Sequence, residues 1–188
     1  MKRMRFVTCP LRPRRTGVAL VVALLCLLRP GLAETAAVVP VGSFSDMKIA
    51  GDHCNGTAVD LWRHGQALVG LLHFCAGLVE SKATTVIEEP AFDARTGALS
   101  FTARLSAGTD YLPGGREVAS RDVWKFRGAL SKDRLAGAFT KRDDANPRRR
   151  PRRVAARLQR RPGALEPFAS LDEWRRWADK IAHPMQGN

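Results

Sequence analysis

CNGTAVDLWRHGQALVGLLHFC, Cys54 to Cys75, is the stretch whose reading decides the fold. Two apolar-rich runs flank His64-Gly65; glycine takes positive φ freely and histidine is enriched there, so the pair suits a two-residue type I′ turn. The stretch then reads as an antiparallel hairpin of about Cys54 to Arg63 and Gln66 to Cys75. With Arg63 opposite Gln66, partner numbers sum to 129, which sets Cys54 directly against Cys75. Counting back from Arg63/Gln66 puts Cys54 on a non-hydrogen-bonded site, where side chains approach most closely. A Cys54–Cys75 disulfide is therefore expected, closing a loop of about twenty residues and contributing on the order of 3 kcal/mol. No Cys-x-x-Cys pattern surrounds it, so it reads as a structural staple rather than a redox pair.

Downstream, the same period of two recurs. Thr84 to Phe92 is rich in β-branched residues, and Asp93-Ala94-Arg95-Thr96-Gly97 forms a hairpin loop with Gly97 in the left-handed position. Ala98 to Leu105 alternates, with Leu99, Phe101, Ala103 and Leu105 on one face. After a Gly/Asp/Pro-rich stretch, Ser106 to Gly115, Val123 to Leu130 sets Trp124, Phe126, Gly128 and Leu130 against Lys125 and Arg127. Ser131-Lys132-Asp133 turns the chain, and Arg134 to Arg142 returns. Glycines 70, 128 and 137 suggest sharp bends or close backbone approach. Val41 to Ile49 is a candidate lead-in strand, and Val154 to Gln159 reads as a late strand or a short helix.

The last element is a helix. Ser170-x-x-Glu173 is a capping-box pattern, and Leu171, Trp174, Trp177, Ala178 and Ile181 share one face. That stripe is expected to cover the sheet. The fold class is mainly β: a small antiparallel β-barrel or coiled sheet of six to eight strands with a C-terminal α-helix.

Composition bounds the rest. The 188 residues carry 31 Lys+Arg against 18 Asp+Glu, net +13. The first 33 residues hold seven basic side chains, no acid, the apolar run Gly17 to Leu28 and the ending Gly31-Leu32-Ala33, the pattern of a signal peptide cleaved after Ala33. A cut after Ala37 is the fallback. The run is too short to span a bilayer as a helix, so no transmembrane anchor is expected. Export is expected, to the periplasm in a Gram-negative host and otherwise to the outside, where disulfides form. Without the leader, 24 basic residues face 18 acidic ones. The excess lies in Lys141 to Gly163, with ten Lys+Arg and two Asp. The organisation is thus 1–33 signal peptide, 34–53 lead-in, 54–142 barrel core, 143–163 Arg/Pro-rich arm with a late strand, and 164–188 helix and tail.

The short strands, the repeated Gly70-Leu71-Leu72, Gly128-Ala129-Leu130 and Gly137-Ala138-Phe139 pattern, and the closing helix resemble the calycin architecture of lipocalins and avidin-like proteins. The resemblance covers roughly Cys54 to Ile181 and implies a barrel whose end or loops, including Thr109 to Gly115, receive a ligand or protein. The Gly-x-Trp opening of lipocalins is missing, since Trp62 follows Asp60-Leu61, and no avidin-like set of biotin contacts is present. Small periplasmic metalloprotease inhibitors are similar in having a small barrel and an early disulfide of like spacing; their N-terminal trunk would map onto Glu34 to Ser45.

Catalysis has no positive sign in the sequence. His53, His64, His73 and His183 form no ligand pair, although His53 and His73 fall near one another across the expected hairpin, with Asp52 beside them. Glu88-Glu89 are adjacent on a strand, which points them to opposite faces. No serine sits in a nucleophile elbow and no Gly-rich loop precedes a helix. No catalytic residue, cofactor or metal is assigned, and the chain is read as a noncatalytic protein that binds an unidentified small ligand or protein, inhibitor-like in kind. The alternative rests on Arg148, Arg149, Arg150, Arg152, Arg153, Arg157, Arg160 and Arg161. These read as an exposed linker, or as a contact for anionic lipid, lipopolysaccharide or nucleic acid. No aromatics interleave with them, which disfavours a single-strand nucleic acid.

Overall fold

The computed structural model describes residues 36–112 and 114–183. The signal-peptide assignment and the end of the tail, 184–188, lie outside the described residues. In chain order the strands are β1 (Val38–Ser45), β2 (Lys48–Ala50), β3 (His53–His64), β4 (Ala67–Leu78), β5 (Ala83–Phe92), β6 (Ala98–Leu105), β7 (Thr109–Tyr111), β8 (Glu117–Ala119), β9 (Asp122–Leu130), β10 (Arg134–Asp143) and β11 (Arg152–Arg160), followed by helix α1 (Leu171–Ala182). Sheet order is β1-β11-β10-β9-β6-β5-β4-β3-β2, and β1 also pairs with β3. That second pairing closes an eight-stranded antiparallel barrel, with β2 as an extra edge piece. β7, inside the stretch Ser106 to Gly115 that sequence reads as a connector, pairs with β8 just beyond it as a separate small two-stranded sheet.

Closure depends on β1, the segment that an inhibitor-type trunk would have left protruding. β1 pairs along its length with β3 and, through Phe44 and Ser45, with Arg160 and Gln159 of β11. Arg160 donates to the carbonyls of Val41 and Lys132, and the Arg161 backbone N–H donates to Ser43 at 2.8 Å. The Arg160 guanidinium passes over Gly42 at φ 151°, where a Cβ would sit only 2.8 Å from it. The late segment is a strand, longer than its alternation suggested. Arg152 and Arg153, grouped by sequence with an exposed linker, are its first residues.

The first hairpin has the expected disulfide but a different register. His64 pairs with Ala67, so the turn is Gly65-Gln66 and partner numbers sum to 131. Among the described residues His64 keeps negative φ while Gly65 takes +58°. A turn with glycine first and an ordinary residue second is of type II′, not I′. Cys54 therefore faces Gly77 and Cys75 faces Gly56, and the sulfurs join on the diagonal with 5.7 Å between the Cα atoms. Because each cysteine faces a residue without a side chain, nothing fills the diagonal between them.

Inward positions build one continuous core. Phe101 and Phe126 stack at 5.1 Å, Phe126 meets Phe139 at 5.1 Å, and Trp124 meets Phe139 at 5.4 Å and Phe74 at 4.9 Å. Val59, Leu61, Leu72, Leu135 and Leu158 complete it at full burial. An eight-stranded barrel is just wide enough for side chains to fill, and here they fill it. Gly128 and Gly137 are cross-strand partners so close that a Cβ at 137 would fall 2.5 Å from the Gly128 Cα. That is the close backbone approach their positions suggested.

A second core lies outside the barrel wall. Trp62 and Leu71, on the outer side of β3 and β4, are 1% exposed because α1 and the segment before it lie over them. Trp62 packs edge-on against Trp174 at 6.1 Å and Trp177 at 5.5 Å, and its indole donates to the Glu166 carbonyl at 2.9 Å. Val38 and Phe168 exchange two backbone hydrogen bonds of 2.9 Å, which anchors the approach to the helix. At the helix start Ser170 accepts from the Glu173 N–H at 3.2 Å, while the Glu173 carboxylate accepts from Ala169 rather than from Ser170, one residue earlier than a standard capping box. Leu171, Trp174, Trp177 and Ala178 pack in this core; Ile181, at the far end of the stripe, stays 41% exposed.

Candidate functional site

The arginines singled out from sequence separate into three environments. Arg160 and Arg161 are structural, bound to main-chain carbonyls of Val41, Lys132 and Met47. Arg153 and Arg157 stand on the outer face of β11. Arg149, Arg150 and Arg152 reach one end of the barrel, and Arg148 is exposed in the preceding loop.

The outer face is decided by register. Trp124 and Phe126, Leu135 and Phe139, and Ala156 and Leu158 point inward, so the residues between them on β9, β10 and β11 point outward. Strand pairing then sets three rows side by side: Lys125–Thr140–Arg153, Arg127–Ala138–Ala155 and Ala129–Ala136–Arg157. Arg134 and Arg142 stand at the two ends of β10. All six cations are exposed, and no outward position on these three strands is acidic. Arg142 pairs with Asp144 at 2.7 Å; the other five make no ion pair among the described residues. Sequence reading missed Lys125, Arg127, Arg134 and Arg142 as part of this surface. The signal was present, since alternation already set Lys125 and Arg127 outward, but only the β9–β10–β11 pairing brings them beside Arg153 and Arg157.

The barrel end beside this face is a charged cleft of about 260 Å³. Asp122 and Asp143 face one another across β9 and β10, and Asp110 adjoins them from β7. On the other side Lys141 faces Arg152 across β10 and β11. Lys141 also caps the aromatic core, its Nζ lying 3.7 Å from the Trp124 ring centre and 4.6 Å from that of Phe74. Burial pushes the Lys141 ammonium down, opposed by Asp122 and aided by Arg152. Burial likewise pushes the Asp122 carboxyl up; Lys141 and the neighbouring Trp124 indole oppose this, while Asp110 and Asp143 add to it. Asp143 is 8% exposed and is held by the Asn146 N–H at 2.9 Å, with Arg149 3.7 Å away. Asp110 Oδ2 is buried without a partner among the described residues, and the Trp124 indole nitrogen lies beside Asp122 without a well-formed hydrogen bond.

The histidines do not assemble. The register places His53 opposite Leu78 and His73 opposite Ala58, five positions apart along β3. His53 pairs with its neighbour Asp52 at 2.6 Å in full exposure. His73 instead belongs to a polar line on the outer wall: its Nε2 hydrogen-bonds Asp60 at 3.0 Å, and its Nδ1 hydrogen-bonds the Thr84 hydroxyl at 2.8 Å. Burial pushes the Asp60 carboxyl up, but the hydrogen bonds from His73 and Ser43 and the nearby charges of His73 and Lys82 together hold it below the usual carboxylate range. The line ties β1, β3, β4 and β5 together beneath the edge of the second core. Nothing local in the sequence signals it. Glu88 forms an ion pair with Arg104 at 3.1 Å, and a β-bulge follows it, with Glu89 at φ +50°.

With the barrel closed by β1, its interior filled and a helix laid on one wall, the molecule is an eight-stranded antiparallel barrel with a C-terminal helix, consistent with a calycin-like architecture. Compared with known proteins, the chain matches no protein-family model, no curated protein and no solved structure.

Proposed function

We propose that this chain is an exported, noncatalytic β-barrel protein that binds an anionic envelope surface, lipopolysaccharide or anionic lipid, through the outer face of β9, β10 and β11. The observation that carries the reading is the set of five cations, Lys125, Arg127, Arg134, Arg153 and Arg157, gathered by strand pairing with no acid among the outward positions. The leader pattern and the cysteine pair support an oxidising compartment outside the cytoplasm. The filled interior argues against a lipocalin-style ligand inside the barrel. Arginine stems rise over small alanine side chains, so the charged heads are free to reach phosphate groups.

Each cation near an anionic membrane is worth about 1 kcal/mol, and the attraction falls off within a Debye length of about 8 Å at physiological salt. The mature protein should therefore sediment with vesicles containing anionic lipid or lipopolysaccharide and not with neutral ones, and 0.5 M salt, about three times physiological strength, should release it. Replacing Lys125, Arg153 and Arg157 together by Gln should weaken vesicle binding by about 100-fold. Binding that survives high salt, or that is unchanged in the triple variant, would refute this reading.

A further inference from the structure

Beyond surface attachment, we infer that the charged cleft at the barrel end binds a compact zwitterion, one carrying both an ammonium group and a phosphate or carboxylate. The argument starts from the polarity of the cleft. Its acidic side presents Asp122 at the start of β9 and Asp143 at the end of β10 with Asp110 beside them, and its β11 side presents Arg152 with Arg150 beside it. Adjacent strands are about 5 Å apart, so Arg152 stands one spacing from β10 and two, about 10 Å, from Asp122 on β9. Lys141 stands between, but its ammonium is turned to the Trp124 and Phe74 rings.

Asp143 is held by Asn146 and Arg149, but each wall keeps groups without a partner. Asp110 Oδ2 lies buried without a donor, and three carboxylates crowd the same side. Arg150 and Arg152 make no ion pair among the described residues, Arg149 alone being engaged by Asp143. A buried polar group without a partner normally marks a missing one. A simple anion would suit the arginines and be repelled by the acids; a simple cation would meet the reverse. A dipolar ligand relieves both, and the orientation is fixed: ammonium toward Asp110 and Asp122, anion toward Arg150 and Arg152. The cleft, about 260 Å³, has room for a molecule the size of phosphoethanolamine.

The test is calorimetric titration of the mature protein with phosphoethanolamine and with 4-aminobutanoate, against inorganic phosphate, acetate and ethylammonium. At least one zwitterion should bind about tenfold or more tightly than any of the single-charge compounds. The preferred one distinguishes a phosphate headgroup from a free amino acid. Asp110→Asn and Arg152→Gln, each checked for an unchanged melting temperature, should both lose that preference, while Arg157→Gln on the outer face keeps it. Phosphate or ethylammonium binding as tightly as the zwitterions would overturn the inference, as would no binding by either zwitterion or equal loss in Arg157→Gln. Vesicle attachment reads the outer face separately, so the two proposals fail independently.

Discussion

Two outer walls of one barrel obey the same pleat and meet opposite fates. On β3, β4 and β5 the outward positions include Trp62, Leu71 and Val86, and α1 lies over them. On β9, β10 and β11 the outward positions carry cations, alanines, Thr140 and Gln159, with only Val123 at one end buried, and the rest of the wall stays exposed. Burying a large apolar side chain contributes about 1.5–3 kcal/mol, so the first wall attracts a cover. Burying an unpaired guanidinium costs several kcal/mol, so the second wall repels any apolar cover and its charges stay in water. The chemistry at alternate positions, not the backbone, decides which wall is closed.

The largest way to break this contrast is to remove the cover. Trp174 is 3% exposed and wedged against Trp62. Trp174→Ala should cost about 3–5 kcal/mol. Ending the chain at Gly163 should lower the melting temperature of the whole domain and shift the remaining tryptophan emission to the red. If the truncated protein melts unchanged, the covered wall is not part of the folded core and the comparison collapses.

A smaller effect lies at the edge of the same wall, where the outward positions are polar yet nearly closed. Asp60 and His73 are held by one another and by Thr84. Asp60→Asn should cost about 1–3 kcal/mol, the range for breaking a buried hydrogen bond. The pH dependence has a definite sign. The folded Asp60 carboxyl lies below its ordinary value, so its contribution is fully present above about pH 4 and is lost as pH falls through the lower folded value. Urea titrations at pH 6 and near pH 2.5 should show a smaller acid loss in Asp60→Asn than in the parent. An equal acid loss in both would show that the line adds nothing.

Much of this was legible in the chain, and the exceptions share a cause. Period-two alternation located the strands from Ala98 to Leu105 and from Val123 to Arg142, because one face of each is buried. The tryptophan stripe of α1 was legible for the same reason. The first hairpin was legible as a disulfide-bridged pair but not in register: His64-Gly65 and Gly65-Gln66 are equally local readings, and only the second leaves histidine at negative φ. Val154 to Gln159 was ambiguous because its outward residues are long and its inward ones include Val154, which is 43% exposed at the barrel end. The basic face and the Asp60–His73 line depend on which strands become neighbours, and the charged cleft joins β7, β9, β10 and the start of β11. Those neighbours are set by barrel closure, which no single segment carries.

The smallest expected effect is the most telling, because it asks whether the bare wall belongs to the fold at all. Lys125, Arg153 and Arg157 are exposed and make no ion pair among the described residues, and their nearest cross-strand neighbours are Thr140 and Ala136. Substitution at such sites shifts stability by no more than about 0.5 kcal/mol each, and removing one of several like charges relieves repulsion rather than breaking a bond. The triple Gln variant should therefore melt within a few degrees of the parent at physiological salt, and slightly higher at low salt, where the repulsion it removes is least screened. A clear loss of stability would mean that these side chains hold the β9–β10–β11 wall together. The wall would then be structural like the other one, and its charge would no longer stand as a sign of function.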